Sequence, residues 1–467
     1  MTKKILNRYI CVAGLLWLAV LIPSCKRLIE IPANPPTSIT QTQQFADSAT
    51  AMTAIAMIYS YPSNGVTGFT FNDGLLSPLT GLSSDELGTS YTDHNYTDFY
   101  NEHPTALDVY PGNLWSDPYV GLYPVNASLD GIAESPGLSA GFKQQLTGEL
   151  KVIRALYFFD LVNLFGAVPV VTTSDYKQTD QLGRTSVDSV YGQILRDLTD
   201  AKAALPVTYP SAGRVRCNKY VAQALLSKVY LYRQQWQLAY DEANAIIGSG
   251  VYSLETDLNK VFLDGSKEAI WQLPALSGVN MTMEATVYIP SISGTIPNYF
   301  LTPALQSAFE AGDQRWQDWT SPVVVDNGSP QTYYFPYKYK QRTPGTTLED
   351  FMVFRLADIY LIRAEAAARL GNTSDALDDL NLIRGRAGLG ASAASVQADV
   401  IDAILHERQI ELFSEWGNRW FDLKRTGTVD AVMAPLKPGW QPTAALYPVP
   451  QTQLNVNGAL KQNPGYQ

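Results

Sequence analysis

Few residues in this chain have the type and spacing that chemistry would need. His94 and His103 share a stretch with Asp93, Asp98 and Glu102, a set that could ligate a metal ion. Their spacing matches no zinc signature, so solvated loop polars are the expected reading and no metal is assigned. The chain has no GxSxG elbow, no HExxH and no Walker loop. Gly385, Gly388 and Gly390 cluster, but a helical pattern precedes them where a phosphate loop needs a strand; a helix end and turn is expected there. Glycoside hydrolysis needs two placed carboxylates. None of the 44 acidic residues is singled out as such a pair. The expectation is a protein that is not an enzyme and uses no cofactor.

Aromatic residues are the better candidates. Tyrosine is abundant, at 27 against 16 phenylalanines. It combines an apolar face with a polar tip, which suits wet binding surfaces. Residues 91–110 place Tyr91, His94, Asn95, Tyr96, Phe99, Tyr100 and Tyr110 in a polar stretch without helical period. Sugar rings carry an apolar C–H face that stacks on such rings, while amide groups hold hydroxyls. Tyr91, Asn95, Tyr96 and Tyr100 are therefore candidate ligand contacts. Tyr288 and Tyr299, in a second irregular stretch, could complete the platform.

The elements around these residues begin with an export signal. Lys3, Lys4 and Arg8 precede an apolar run at 10–22, followed by Ile22-Pro23-Ser24-Cys25. That is a secretion signal with a lipobox-like end. It predicts removal of residues 1–24 and lipid attachment at Cys25. The apolar run has 13 residues, short of the ~18 a spanning helix needs. Residues 25–40, with Pro32, Pro35 and Pro36, read as an extended lipidated tether. No later stretch is long enough to span, so the lipid would be the membrane attachment.

The other cysteines are Cys11, inside the signal, and Cys217, so no disulfide framework is available. The 443 residues left from 467 after removing 24 suffice for a large hydrophobic core. The net charge of −10 becomes about −13 without the three basic signal residues. Nucleic acid as a partner is disfavoured, since it needs a basic face.

Helical periodicity marks residues 43–61, 113–134, 142–165, 187–205, 219–234 and 237–247. Val221, Leu225, Val229 and Tyr232 form one apolar stripe; Ala239, Ala243 and Ile246 form the next. The plan recurs 137 residues later in Leu356, Tyr360, Ala364 and Leu370, a Gly371-Asn372 turn, a cap at Thr373 or Ser374, then Ala376, Leu380 and Ile383. Such helix pairs resemble tetratricopeptide units. Residues 63–112 and 249–350 read as long irregular regions, the second holding a β-hairpin at 323–325 and 332–339 around Asp326-Asn327-Gly328. The expected fold is mainly α: tetratricopeptide-like helix pairs with an irregular loop-rich region and a small β-hairpin. The body 41–467 would divide into a helical and loop part at 41–250, an insertion at 251–350 and a helical part at 351–467.

The last third carries recognisable motifs: Phe354-Arg355-Leu356-Ala357-Asp358 leading into Arg363-Ala364-Glu365; Asn381-Leu382-Ile383-Arg384-Gly385-Arg386-Ala387-Gly388-Leu389; His406-Glu407-Arg408-Gln409-Ile410-Glu411; Gly417-Asn418-Arg419-Trp420-Phe421-Asp422-Leu423-Lys424-Arg425; Tyr447-Pro448-Val449-Pro450; and Gln462-Asn463-Pro464-Gly465-Tyr466. With the lipobox, Ser84-Asp85, the helix of Trp115, Tyr119 and Asn126, and Arg154-Ala155-Leu156-Tyr157, the chain resembles the SusD/RagB family of Bacteroidetes surface lipoproteins. The paired charges Glu407, Arg408, Glu411, Arg419, Asp422 and Arg425 suit holding the fold, with Arg355 and Glu365 expected in the same network.

The resemblance implies a glycan-binding lipoprotein of the cell outer membrane, facing the exterior. Its partner would be a SusC-like TonB-dependent transporter, to which it delivers oligo- or polysaccharide. Lys26-Arg27 follows Cys25 directly, so outward orientation rests on the resemblance alone. Alternatives are a binder of peptides or another nutrient in the same kind of complex, or a non-binding structural partner of the transporter. The resemblance also places Trp115 in the core. Trp316 follows the family-like Asp313-Gln314-Arg315, which makes Trp319 the ligand candidate of that pair.

Overall fold

The computed structural model describes residues 39–60, 74–275 and 280–466. The signal, Cys25 and all but the end of the 25–40 tether lie outside the described residues.

A run of packed helices forms the frame: α1 (Ser48–Ser60), α2 (Leu76–Ser83), α3 (His94–Tyr100), α4 (Val109–Glu134), α5 (Ala140–Phe165), α6 (Val187–Ala204), α7 (Lys219–Tyr232) and α8 (Trp236–Gly248). After the insertion come α9 (Leu356–Arg369), α10 (Thr373–Arg386), α11 (Gln397–Glu411) and α12 (Asn418–Arg425). Helices begin where a side chain satisfies a free N–H: Ser139 caps α5, Ser186 caps α6 and Asn218 caps α7. From α4 to α8 each helix packs on the next. Helix α5 is buried around much of its circumference because α4, α6 and α7 all lie against it. Among the described residues no helix is long and apolar enough to cross a membrane.

The internal repeat is real down to its turns. Ala239, Ala243 and Ile246 on α8 are fully buried, as are Ala376, Leu380 and Ile383 on α10. Between α7 and α8, Gln234 is left-handed and Gln235 N–H reaches back to Tyr230 O at 2.8 Å. Between α9 and α10, Gly371 is left-handed and Asn372 N–H reaches Ala367 O at 2.9 Å. Two details differ from expectation. Leu370 is exposed, and neither Thr373 nor Ser374 caps α10: Asn372 is its N-cap residue and makes no side-chain cap.

Residues 249–355 leave this frame and return to it, so that α8 and α9 pack directly. The strand β2 (Ala269–Leu273) pairs antiparallel with Phe351–Arg355 and ties the two ends of the insertion together. The expected hairpin is formed by Thr320–Asp326 and Pro330–Pro336. Gly328, with φ 95°, supplies the left-handed turn residue, and its N–H donates to Asp326 Oδ1 at 2.9 Å.

The stretch 63–112 is more ordered than its sequence suggests. Where described, it holds α2, the strand β1 (Leu87–Thr89) and α3. Helix α2 is buried on every side, so it has no polar face to give a period. Helix α3 is about two turns long and is fixed by Asp93, which caps it by accepting from Asn95 N–H.

Candidate functional site

The two irregular regions meet in a short sheet. Strand β1 pairs antiparallel with Tyr299–Leu301, with Thr89 opposite Tyr299. That register brings five tyrosines together. Tyr91 and Tyr96 stack, with ring centres 3.9 Å apart and planes at 14°. Both present their rings to Tyr299, at 5.6 and 6.2 Å in edge-to-face geometry. Tyr110, at the start of α4, lies 4.8 Å from Tyr96 and shares a hydroxyl hydrogen bond with it. Tyr288, on the short helix Met283–Tyr288, lies 6.1 Å behind Tyr299.

Tyr288 and Tyr299 are buried; Tyr91, Tyr96 and Tyr110 are half-buried and form the outer layer. Asn298 Nδ2 donates to the Tyr91 hydroxyl at 2.8 Å. Burial, with the neighbouring phenol of Tyr96, pushes Tyr91 up to about 12. Burial likewise raises Tyr96 and Tyr110. All three therefore stay neutral at ordinary pH and can both donate and accept. The surface is an aromatic step with neutral hydrogen-bonding edges, suited to an uncharged ligand with an apolar face.

The other sequence candidates fall elsewhere. Tyr299 and Tyr288 support the outer rings instead of facing solvent. Asn95 ties α3 to α4: its Nδ2 donates to Asp93 Oδ1 at 2.9 Å and its Oδ1 accepts from Val109 N–H at 3.0 Å. Tyr100 stands apart from the stack, 39% exposed, with Lys437 Nζ 5.3 Å from its ring centre.

Trp319 is 0% exposed and has no face for a ligand. Its Nε1 donates to Leu258 O at 3.1 Å, Phe262 abuts its ring, and Lys338 Nζ sits 4.7 Å from its centre. Trp319 closes the helix Gln314–Trp319 against the core, whereas half-buried Trp316 packs on the hairpin's Tyr334 at 4.6 Å. The pair is thus reversed from expectation. Trp115 is buried against Phe165, as expected.

Asn298 and Tyr110 are not among the ligand candidates the sequence offers. The signal for Tyr110 was its place one residue into a helix whose start was set four residues too late. The histidine–carboxylate set also assembles differently. His94 Nδ1 lies 3.2 Å from Asp108 Oδ1 and 3.8 Å from Asp98 Oδ2. Asp108 also accepts from Thr105 N–H at 2.6 Å, and Glu102 turns away to Lys437 at 2.5 Å.

The conspicuous charged motifs are buried and mutually paired. Glu411 accepts from Arg315 at 2.9 Å and Arg355 at 2.5 Å, and from Arg386. Burial alone would raise its pKa; Arg386, Arg355 and Arg315 outweigh that and hold the carboxyl well below the usual range. Glu415 joins Arg355 to Lys338, whose ammonium burial pushes down to about 8. A second network runs from Lys228 through Asp358, Arg408, Asp422 and Arg425 to Glu365. Arg355 and Glu365 therefore belong to different networks, because Arg408 points away from Glu407 and Glu411 around α11. Asp85 and Arg419 form a bidentate pair at 2.7 and 2.6 Å, just before β1. Carboxylates locked this way are poorly placed to shuttle protons to a substrate.

Comparison with known proteins agrees with this architecture. A model described as the SusD family matches residues 305–466, and one described as starch-binding, associating with the outer membrane, matches residues 75–231. A SusD-like protein P25 of Formosa agariphila is 28% identical over 75% of this chain and 78% of its own length. A crystal structure of a SusD superfamily protein from Parabacteroides distasonis superposes with TM-score 0.77 at 24% identity, covering 89% of this chain and 99% of that one. A laminarin-binding SusD-like protein superposes with TM-score 0.74 at 24% identity, covering 90% and 100%. With SusD-type segments matched at both ends of the frame and the shared fold between them, this chain is a SusD-like protein.

Proposed function

We propose that this protein binds a neutral glycan on the outer face of the Tyr91–Tyr96–Tyr110 cluster and passes it to a SusC-type TonB-dependent transporter. On this reading it is held at the outer membrane by a lipid on Cys25, facing the exterior, and catalyses nothing. The observation that carries the binding site is the stacked, half-exposed Tyr91–Tyr96 pair at the junction of the two irregular regions. The laminarin-binding relative and the starch-binding family model favour a glycan as the ligand. If one ring stack buries ~60 Å² of sugar C–H surface, at ~25 cal/mol per Å² it contributes about 1.5 kcal/mol. Two such stacks with a few hydrogen bonds, less the cost of ordering the chain, give affinities around millimolar to high micromolar. Weak capture suits a protein that must release its cargo.

The test is calorimetry and affinity gels with laminarin and starch, comparing wild type with a Tyr91→Ala, Tyr96→Ala, Tyr110→Ala variant. Loss of binding in a folded variant is expected. Unchanged affinity moves the site away from this cluster. Delivery is tested by pull-down from detergent-solubilised outer membrane, where co-recovery of a large β-barrel is expected. Fatty-acid labelling that is equal in wild type and Cys25→Ser removes the anchor from this reading.

A further inference from the structure

Beyond α3 the chain makes a turn that its sequence should resist. Asn101 N–H bonds Thr97 O, Glu102 N–H bonds Phe99 O, and His103 N–H bonds Asp98 O at 2.8, 3.4 and 2.8 Å. This is the helix-ending arrangement whose left-handed position glycine usually fills. Here Glu102 fills it, with φ 61°. A glutamate in that conformation is strained relative to glycine.

The residue held this way lines a cleft, with its carboxyl buried in the wall. Glu102 is 3% exposed. Its Oε1 is bound by Lys437 Nζ at 2.5 Å, but its Oε2 finds no hydrogen-bond partner among the described residues. The cleft it lines has a volume of about 240 Å³. On the same cleft the Tyr466 hydroxyl is buried and also unpartnered. Burial raises the Tyr466 phenol, and the proximity of Glu102 adds to that. Thr443 and Gln441 add neutral polar groups to the wall; Pro104, Ala106 and Ala444 add small apolar ones.

We propose that this cleft is a second ligand site, separate from the tyrosine cluster, that takes a single neutral sugar residue. Burial raises the Glu102 carboxyl to about 8 even beside Lys437, so it stays largely protonated at neutral pH and does not ask for a cation. Its unpartnered oxygen can hydrogen-bond one sugar hydroxyl, and the unpartnered Tyr466 hydroxyl another. The cleft is smaller than the ~300 Å³ at which drug-sized pockets begin, which suits one ring and excludes a folded chain. The apolar wall suits the C–H face of that ring. The choice of sugar rests on the glycan reading above; the two orphaned polar groups do not.

The experiment titrates the purified full-length protein with D-glucose, D-galactose, D-mannose and D-xylose, their methyl glycosides, and laminaritriose, by saturation-transfer NMR. Three variants are compared: Tyr466→Phe, Glu102→Gln and Tyr96→Ala. Tyr466→Phe removes only an unpartnered hydroxyl, so it should keep full stability while weakening the bound sugar about tenfold. Glu102→Gln should weaken it similarly, and sugar binding that survives in Tyr96→Ala should be lost when Tyr466→Phe is added to that variant. Preference for a free sugar or for a glycoside distinguishes a monosaccharide ligand from the end of a chain; either supports the site. Sugar binding that Tyr96→Ala abolishes and Tyr466→Phe leaves intact overturns the second site while sparing the glycan reading. No binding of any probe, laminaritriose included, overturns both.

Discussion

The tyrosine cluster and the arginine–carboxylate networks are both assembled from distant segments, yet they use polarity in opposite ways. Around Glu411 three guanidiniums converge on one buried carboxylate, and each charge is answered by another. Around Tyr96 there is no charge pair in the ring contacts; half-buried phenols stack and leave their outer edges in solvent. Networks of the first kind fix geometry, because removing one partner strands the others. Surfaces of the second kind remain free to engage a ligand. The two are coupled in the chain: Asp85, clamped by Arg419, precedes β1, and β1 sets the register that brings Tyr91 against Tyr299.

The largest expected effect comes from breaking the charged side. Glu411→Ala leaves Arg315, Arg355 and Arg386 without their shared carboxylate. It should cost about 3–5 kcal/mol in urea unfolding, the usual penalty for stranding buried charge. At a temperature where the variant still folds, glycan affinity should match wild type. A loss under 1 kcal/mol would put the frame's stability elsewhere.

A second test uses pH. Burial, reinforced by Asp85, raises Glu86 to about 8 from 4.5, so it is protonated in the folded state while the unfolded chain ionises. Its contribution is fully present below pH 4.5 and is lost as pH rises through 8. Glu411 behaves in the opposite sense: its depressed pKa gives stability above 4.5 that is lost on acidification. Between pH 5 and 8, wild type should therefore lose up to about 1.4 kcal/mol per pH unit relative to Glu86→Gln. Parallel stability curves for the two proteins would show that Glu86 ionises freely.

On the neutral side the expectation reverses: small stability effects and large binding effects. A double-mutant cycle between Tyr91→Ala and Tyr96→Ala should give a coupling of about 0.5–1.5 kcal/mol in stability. The same substitutions should lower glycan affinity tenfold or more. A coupling above this range with unchanged affinity would make the cluster another structural clamp.

Much of this contrast was legible in the sequence, for physical reasons. Helix pairs announce themselves by period, and the 137-residue repeat survives as matched turns at Gln234 and Gly371. Charged motifs at helical spacing were correctly read as fold-holding, although which partner each charge takes depends on side-chain direction around α11. Helix α2 was missed because burial on all sides removes the amphipathic signal. Helix α3 was missed because two turns are too few to establish one. Trp316 and Trp319 are three apart on one short helix, and only packing decides that Trp319 lies under Lys338 while Trp316 meets the hairpin. The Tyr91 and Tyr96 candidates did come together, but Tyr299 and Tyr288 proved to be their support.

The smallest effect tests the frame alone. The two repeat turns have the same left-handed residue and the same backward hydrogen bond, but one uses glutamine and the other glycine. Gln234 is exposed, so its cost is backbone strain without a compensating buried contact. Gln234→Gly should raise stability by about 0.5–1 kcal/mol, the relief of strain reduced by glycine's greater freedom when unfolded. Gly371, with φ 89°, has open space where a Cβ would stand, so Gly371→Ala should lose about 1 kcal/mol through conformation and not through a clash. Opposite signs at matched positions would establish that the turns are one design carrying two residues. Both changes lie outside the tyrosine cluster, so glycan affinity should stay at the wild-type value in each. A shift in affinity would mean that the helical frame, and not only its charged networks, adjusts the spacing of the rings.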